Sequence, residues 1–291
     1  MKIVVTGGAG RLGHLTIEEL LDHSHEVLSI DKVPISESVC RGSVIDLLRA
    51  EDLAQAFEGA DAVIHLARKK FPYTSNGFDA ESRTWKTPNV LGDAAIFGYN
   101  VTLSYNVIAA AFTAGVKKLV MGSSLTIYGF YYPSRWSAPE YLPVDEDYPL
   151  NPQDPYSVSK LVVERACDAF ASKSDMQIAS LRFAGICADF THQNLKERRK
   201  NPLRWSGPLW TYIDVRDAAL ACRLAVEANF AGHEAFNICA PNTIMERPTA
   251  ELVTEYLPSA RLRTSSEGNW AGYDSEKSRK MLGFRAGHLL D

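Results

Sequence analysis

The first two-thirds of the chain alternates short runs of β-branched and apolar residues with longer stretches whose apolar positions recur every three or four residues. The short runs predict strands over residues 2–6, 26–30, 62–66, 118–121, 178–182 and 235–238. Several are apolar throughout rather than at every second position, as expected of strands covered on both faces. Helical spacing covers residues 12–22, 50–57, 94–114, 157–171 and 215–228. Strand, helix, strand in repetition predicts an α/β fold built on a doubly wound parallel sheet.

Two segments interrupt this rhythm. Residues 128–155 carry Pro133, Pro139, Pro143, Pro149, Pro152 and Pro155, and so predict a long loop of the kind that often borders a binding site. Residues 184–211 are irregular, basic and rich in tryptophan. The expected division is a core domain over 1–183 and a small, interleaved C-terminal substrate lobe over 184–291, from which a helix and strand at about 214–240 return to the core.

Composition narrows the class. The chain has 291 residues, 46% of them apolar, enough for a sizeable core. A net charge of −4 excludes the basic stripe that nucleic acid or an anionic membrane would require. The local cluster Lys196, Arg198, Arg199, Lys200 reads as a solvated face. The five cysteines are scattered without a C-x-x-C pair, so neither a metal site nor a disulfide framework is indicated. Reduced thiols, the absence of a signal-peptide pattern and the absence of an apolar stretch of membrane-spanning length predict a cytoplasmic protein.

Chemistry first shows at the N-terminus. Thr6-Gly7-Gly8-Ala9-Gly10-Arg11-Leu12-Gly13 follows the first strand and opens the first helix. Glycines let backbone approach a pyrophosphate, and the helix supplies free N–H groups and the positive end of its dipole. Gly7, Gly10, Arg11, Leu12 and Gly13 therefore form the expected dinucleotide turn of a Rossmann sheet. Asp31 ends the second strand, where a carboxylate can accept both hydroxyls of an adenosine ribose and repel a 2′-phosphate, favouring NAD over NADP. Lys32 beside it keeps NADP open.

The second signal is Tyr156-Ser157-Val158-Ser159-Lys160. A spacing of i, i+4 sets the phenol and the ammonium on one helix face. Tyrosine is too weakly acidic to serve as a base at neutral pH unless nearby positive charge favours its phenolate, and Lys160 can supply that charge. Ser123 and Ser124 close the fourth strand at the carboxyl edge of the sheet, where a hydroxyl could hold a substrate oxygen while Tyr156 exchanges its proton.

Together these motifs resemble the extended short-chain dehydrogenases/reductases, the NAD-dependent epimerase/dehydratase family. Further matches are His65-Leu66-Ala67, Asn100 and Asn106, Tyr128-Gly129, Leu181-Arg182, the run Tyr212-Ile213-Asp214-Val215-Arg216-Asp217-Ala218, and Lys280-Met281-Leu282-Gly283. The resemblance implies that Ser124 is the catalytic serine beside Tyr156 and Lys160. It also implies that Leu66 and Ala67 line the nicotinamide side, that Lys70 approaches the cofactor, and that Asn100 orders the site. Where the family usually has an aspartate near the adenine this chain has Ser43, with Val44 left to pack on the ring. The resemblance further implies a homodimer formed through the helices at 100–114 and 157–171.

The substrate is expected to be a carbohydrate. Relatives that act on nucleotide sugars usually carry Arg-Tyr-Phe-Asn after the fifth strand and an arginine before the Tyr-Ile pair. This chain has Arg182-Phe183-Ala184-Gly185 and Leu209-Trp210-Thr211. Both departures remove groups that hold a diphosphate. Together with Gly129-Phe130-Tyr131, they resemble the uronate dehydrogenases of the same family. The reading taken is therefore oxidation of a free sugar or sugar acid, with Arg68, Ser123, Ser124, Tyr156, Gly185 and Arg204 around the substrate and Lys69 as a further candidate for its carboxylate. A nucleotide-sugar epimerase or dehydratase and a non-catalytic NAD-binding sensor are the alternatives.

Overall fold

The computed structural model of the chain describes residues 1–69, 78–85, 90–133, 135–263 and 267–291. Its centre is a seven-stranded parallel sheet of β1 (Lys2–Thr6), β2 (Glu26–Asp31), β3 (Arg41–Val44), β4 (Ala62–His65), β5 (Lys118–Ser124), β6 (Gln177–Phe183) and β7 (His233–Ile238). The spatial order is β3-β2-β1-β4-β5-β6-β7, all parallel. The chain moves outward one way from β1 and the other way from β4. A crevice therefore opens at their carboxyl ends, where sheets of this topology hold ligands.

Helices α1 (Arg11–Asp22), α2 (Ala50–Ala56), α3 (Val90–Thr113), α4 (Pro155–Ala171), α5 (Gln193–Arg198), α6 (Pro202–Trp205) and α7 (Val215–Glu227) follow in chain order. Neighbouring residues of β1 serve opposite faces. Val5 packs in one core cluster with Ile17, Leu20, Ala218 and Cys222, whereas Val4 packs in the other with Leu103, Val107, Val163 and Phe170. That is why β1 is apolar at successive positions.

Several expectations change. The edge strand β3, Arg-Gly-Ser-Val, has no apolar run and pairs with β2 alone, so periodicity could not show it. Ser123 and Ser124 close β5, which runs three residues beyond the apolar stretch 118–121. One helix segment, Ala94–Thr113, is long and apolar enough to cross a membrane by length and composition, contrary to the sequence reading. In the fold its Leu103, Val107, Ile108 and Ala111 are buried in the sheet–helix core. The proline-rich connection is packed rather than loose: Phe130, Tyr131, Leu142, Val144 and Tyr148 are all buried.

In the C-terminal third, β7 completes the sheet beside β6 and α7 packs against α1. Around them lie the short pairings Ile186–Cys187 with Ile213–Asp214 and Tyr141–Leu142 with Arg261–Leu262, and two further helices, Thr249–Tyr256 and Glu276–Leu282.

Candidate active site

The glycine turn is tight enough to exclude side chains. Gly7 has φ +81°, and a Cβ there would lie 2.5 Å from the Ala67 backbone nitrogen. A Cβ on Gly13 would lie 2.1 Å from the Gly7 carbonyl oxygen. Gly10 caps α1 without a side-chain acceptor, so the positive end of that helix is left open. Arg11 is exposed at the helix start, and Leu12 reaches the cavity described below. Asp31 closes β2 with its Oδ2 accepting from the Ala9 N–H (3.2 Å) and its Oδ1 from the Lys32 N–H (2.7 Å). Ser43 and Val44 stand in register with Ile30 and Asp31, and Val44 is 61% exposed. A bare helix N-terminus, a carboxylate and an open apolar side chain on one edge together fit a dinucleotide.

The loop after β4 is held by Asn100. Its Oδ1 accepts from the Lys69 N–H (2.8 Å) and its Nδ2 donates to the Lys69 carbonyl (3.2 Å). This clamp fixes the backbone next to Arg68, and Leu66 and Ala67 precede it. Lys70 lies outside the described residues.

The start of α4 explains the position of Tyr156. Asp154 is the N-cap, accepting from both the Ser157 N–H (3.0 Å) and the Ser157 hydroxyl, and Pro155 occupies the first turn. Tyr156 follows in that first turn and lines the same cavity as Ser124, close enough for that hydroxyl to act on its phenol. Burial pushes its pKa up; the Arg68 guanidinium and the Ser124 hydroxyl pull the other way, and the Asp154 carboxylate adds to the rise. The Arg68 guanidinium lies 5.5 Å from the centre of the Tyr156 ring.

Lys160 sits one turn further on, buried, with Nζ 5.6 Å from the same ring and donating to the Gly122 carbonyl at 2.6 Å. Burial, reinforced by Arg68, holds its pKa down at about 7. The sequence reading gave Lys160 the task of favouring the phenolate. In the structure Arg68 is the nearby cation that pulls the tyrosine pKa down, while burial leaves Lys160 about half protonated at pH 7.

Ser123 and Ser124 point to different tasks. The Ser123 hydroxyl donates to Glu164 Oε1 at 2.5 Å, although Ser123 lines the cavity along with Ser124 and Tyr156. Of the two, Ser124 is the hydroxyl that meets the tyrosine.

These groups open on a cavity of about 340 Å³ whose wall includes Leu66, Arg68, Ser124, Tyr131, Tyr132, Tyr156 and Gly185. Arg204 does not line it; its guanidinium lies 5.7 Å from the Trp205 ring. Trp210, at the place where the family's arginine is usual, is turned into the core with left-handed backbone torsions and its indole N–H on the Pro202 carbonyl (2.8 Å).

The basic cluster is not the uniformly solvated face expected. Lys196 and Lys200 are exposed, but Arg199 binds the Ile244 carbonyl, Glu246 and the Asp291 carbonyl, and Arg198 turns inward toward Gly185. Glu164 and Tyr132 are site-adjacent residues that the sequence does not single out, and Arg198 falls in a cluster, Lys196–Lys200, that could stand in for the missing diphosphate contacts. For Glu164 a signal existed, since it continues the helix face of Tyr156 and Lys160 at i+4. For Arg198, four like charges in five residues masked the difference.

The comparisons with known proteins agree with this geometry. The sequence model of the NAD dependent epimerase/dehydratase family matches residues 3–239. The chain belongs to that family. A UDP-glucose 4-epimerase of Corynebacterium glutamicum is 26% identical over 99% of this chain and 92% of its own length. An L-arabinose 1-dehydrogenase (NAD(P)(+)) of Haloferax volcanii is 30% identical over 78% of this chain and 83% of its own.

Among solved structures, a short-chain dehydrogenase/reductase superfamily protein of Agrobacterium tumefaciens with bound NAD aligns with a TM-score of 0.70 at 22% identity, over 99% of this chain and 93% of that one. A UDP-glucose-4-epimerase of Stenotrophomonas maltophila, with bound NAD and formylated UDP-arabinopyranose, aligns with the same score and identity over 99% and 94%. At such identities the structures speak for the fold. The protein is an NAD-dependent enzyme of the epimerase/dehydratase family, an extended short-chain dehydrogenase/reductase.

Proposed function

We propose that the enzyme moves a hydride at a hydroxyl-bearing carbon of a nucleotide-linked sugar, inverting that carbon through two opposite transfers. The observation that carries the reading is that Ser124 and Tyr156 line one cavity beside buried Lys160, next to Leu12 of the glycine turn. NAD, when bound, accepts the hydride and returns it. Tyr156 takes the proton of the sugar hydroxyl and gives it back, Ser124 orients the oxygen, and Arg68 lowers the cost of the phenolate. The order of the two enzymatic readings is thus reversed from that of the sequence, because the C. glutamicum epimerase matches nearly end to end.

A second reading, net oxidation of a free sugar, is favoured by the identity to the arabinose dehydrogenase and by Trp210, whose burial leaves no cation at the family's diphosphate position. Incubation with NAD and a panel of nucleotide sugars, free aldoses and uronic acids separates the two. An inverted nucleotide sugar without net NADH supports epimerisation, whereas stoichiometric NADH from a free sugar replaces it with oxidation. Tyr156→Phe should abolish either activity while NAD still binds, with a loss of at least ~10²-fold in rate. If Tyr156→Phe turns over normally, the proton-transfer assignment fails.

The homodimer belongs with these proposals. Tyr105 and Phe112 on α3 and Val162 on α4 are exposed apolar side chains on two helices that pack together. Light scattering on the purified protein tests it.

A further inference from the structure

We infer that Arg198 anchors an anionic group of the substrate, carboxylate or phosphate oxygen, at the Gly185 side of the cavity that Tyr156 lines. The inference rests on the sugar-substrate reading above and names a substrate class for it. Four observations converge on this arginine.

First, its place. A Cβ on Gly185 would lie 3.9 Å from Arg198 Nη1, and Gly185 lines the cavity. Tyr131 and Tyr132, which line it too, are close enough to feel the Arg198 charge, and Tyr132 feels that of Arg68 and the proximity of Tyr156 as well. Arg198 does not itself line the cavity; its guanidinium lies beside the Gly185 wall, within reach of the charge on Tyr131 and Tyr132.

Second, its support. The guanidinium lies 4.3 Å from the centre of the Trp205 ring. Stacking on an indole holds the planar fork in one orientation and leaves its in-plane N–H groups available.

Third, its charge balance. Arg198 is half-buried yet makes no ion pair among the described residues, and desolvation pulls its pKa below the usual guanidinium value. The charges that act on it most are those of Cys187, Tyr131, Tyr132 and Arg204, none of them a carboxylate. Asp189 and Asp214, which act on Cys187 as Arg198 does, are engaged elsewhere: Asp189 with Thr191 and Asn194, and Asp214 with Arg216 and His192. A partly desolvated cation without a counter-charge is unfavourable unless a ligand supplies one.

Fourth, its neighbour. Residue 185 is glycine, so it puts no side chain of its own between the guanidinium and the cavity. A guanidinium fork matches two oxygens of a carboxylate or phosphate. One anchor away from the reacting carbon would set which sugar carbon faces Tyr156.

The test compares the wild type with Arg198→Met, which keeps the length of the side chain and drops the charge, and with Arg198→Lys. Binding of UDP, of glucuronate and of glucose to NAD-saturated protein is measured by calorimetry, and KM and kcat are measured for any substrate that turns over. UDP or glucuronate should bind the wild type, lose at least tenfold in affinity in Arg198→Met and recover partly in Arg198→Lys. The NAD affinity serves as the control for folding. Loss confined to UDP identifies a phosphate, and loss confined to glucuronate a carboxylate. For a reacting substrate, the effect should fall on KM more than on kcat.

Equal anion affinity in the wild type and Arg198→Met overturns the assignment. So does a wild type that binds neither anion more tightly than glucose. Because binding is read apart from turnover, an Arg198-dependent anion without reaction would count against the proposed function and leave the anchor standing. Tyr156→Phe should show the converse of Arg198→Met, with the anion held and turnover lost.

Discussion

Arg182 and Glu164 form a two-point ion pair, Nε to Oε1 at 3.1 Å and Nη2 to Oε2 at 2.8 Å, with neither side chain more than 6% exposed. The same Oε1 accepts from Ser123, and Arg182 Nη1 donates to the Tyr128 hydroxyl (2.8 Å), which donates to Asn237 (2.8 Å). One pair thereby ties β6, α4, β5 and β7 together around the strand end that carries Ser124. Removing one partner of such a pair leaves the other charge buried, at a cost of about 3–5 kcal/mol. Glu164→Gln should lose that much in urea unfolding, whereas the double replacement Glu164→Leu, Arg182→Met should lose less than the two single changes summed. A Glu164→Gln midpoint equal to wild type would show that the pair contributes nothing.

The acid side of the stability curve should carry the mark of His65. Its ring is buried between the Thr6 hydroxyl (2.7 Å) and the Ser104 hydroxyl (3.1 Å), and burial, with the Lys160 charge adding to it, lowers its pKa to about 3. In the unfolded chain histidine titrates near ~6.5. Between the two values the unfolded state holds a proton that the folded state does not, so stability falls as pH falls through that window. The expected loss from this one group between pH 7.5 and 4.5 is about 2–3 kcal/mol. In His65→Asn, the fall in melting temperature over that range should be visibly shallower than in wild type; parallel curves would refute the assignment.

Asp31 should govern cofactor choice. Its carboxylate braces the Ala9 N–H of the glycine turn and is the acidic group at the end of β2. Asp31→Ser removes a charged acceptor, about 1.5–3 kcal/mol, and the repulsion of a 2′-phosphate. Fluorescence titration should show NAD affinity falling by about 10- to 100-fold, with NADP falling less or improving. An unchanged NAD-to-NADP ratio would place the discrimination elsewhere.

Much of this molecule is legible in local pattern. Successive apolar positions announced β1, β4 and the interior of β6, because a strand covered on both faces has no polar side to alternate with. The glycine turn and the pair Tyr156, Lys160 could be found without coordinates, since a phosphate-binding turn and two side chains on one helix face depend on spacing within a few residues. β3 could not be found this way: an edge strand with Val44 61% exposed has no buried face to impose a pattern.

What spacing could not decide was the direction of each side chain and the charge around it. Ser123 and Ser124 are adjacent in sequence, and only alternation along β5 sends one hydroxyl to Glu164 and leaves the other for Tyr156. Arg198 and Arg199 are likewise adjacent, and the turn of α5 against Trp205 and Glu246 gives them separate partners. The charge on Lys160 depends on burial and on Arg68, ninety-two positions away in the chain, and such desolvation exists only once the elements have packed. The sequence by itself determined the family of chemistry, a dinucleotide turn and a tyrosine–lysine helix. The tertiary structure decided which hydroxyl and which cations serve it, because long-range packing alone sets burial and the distance between charges.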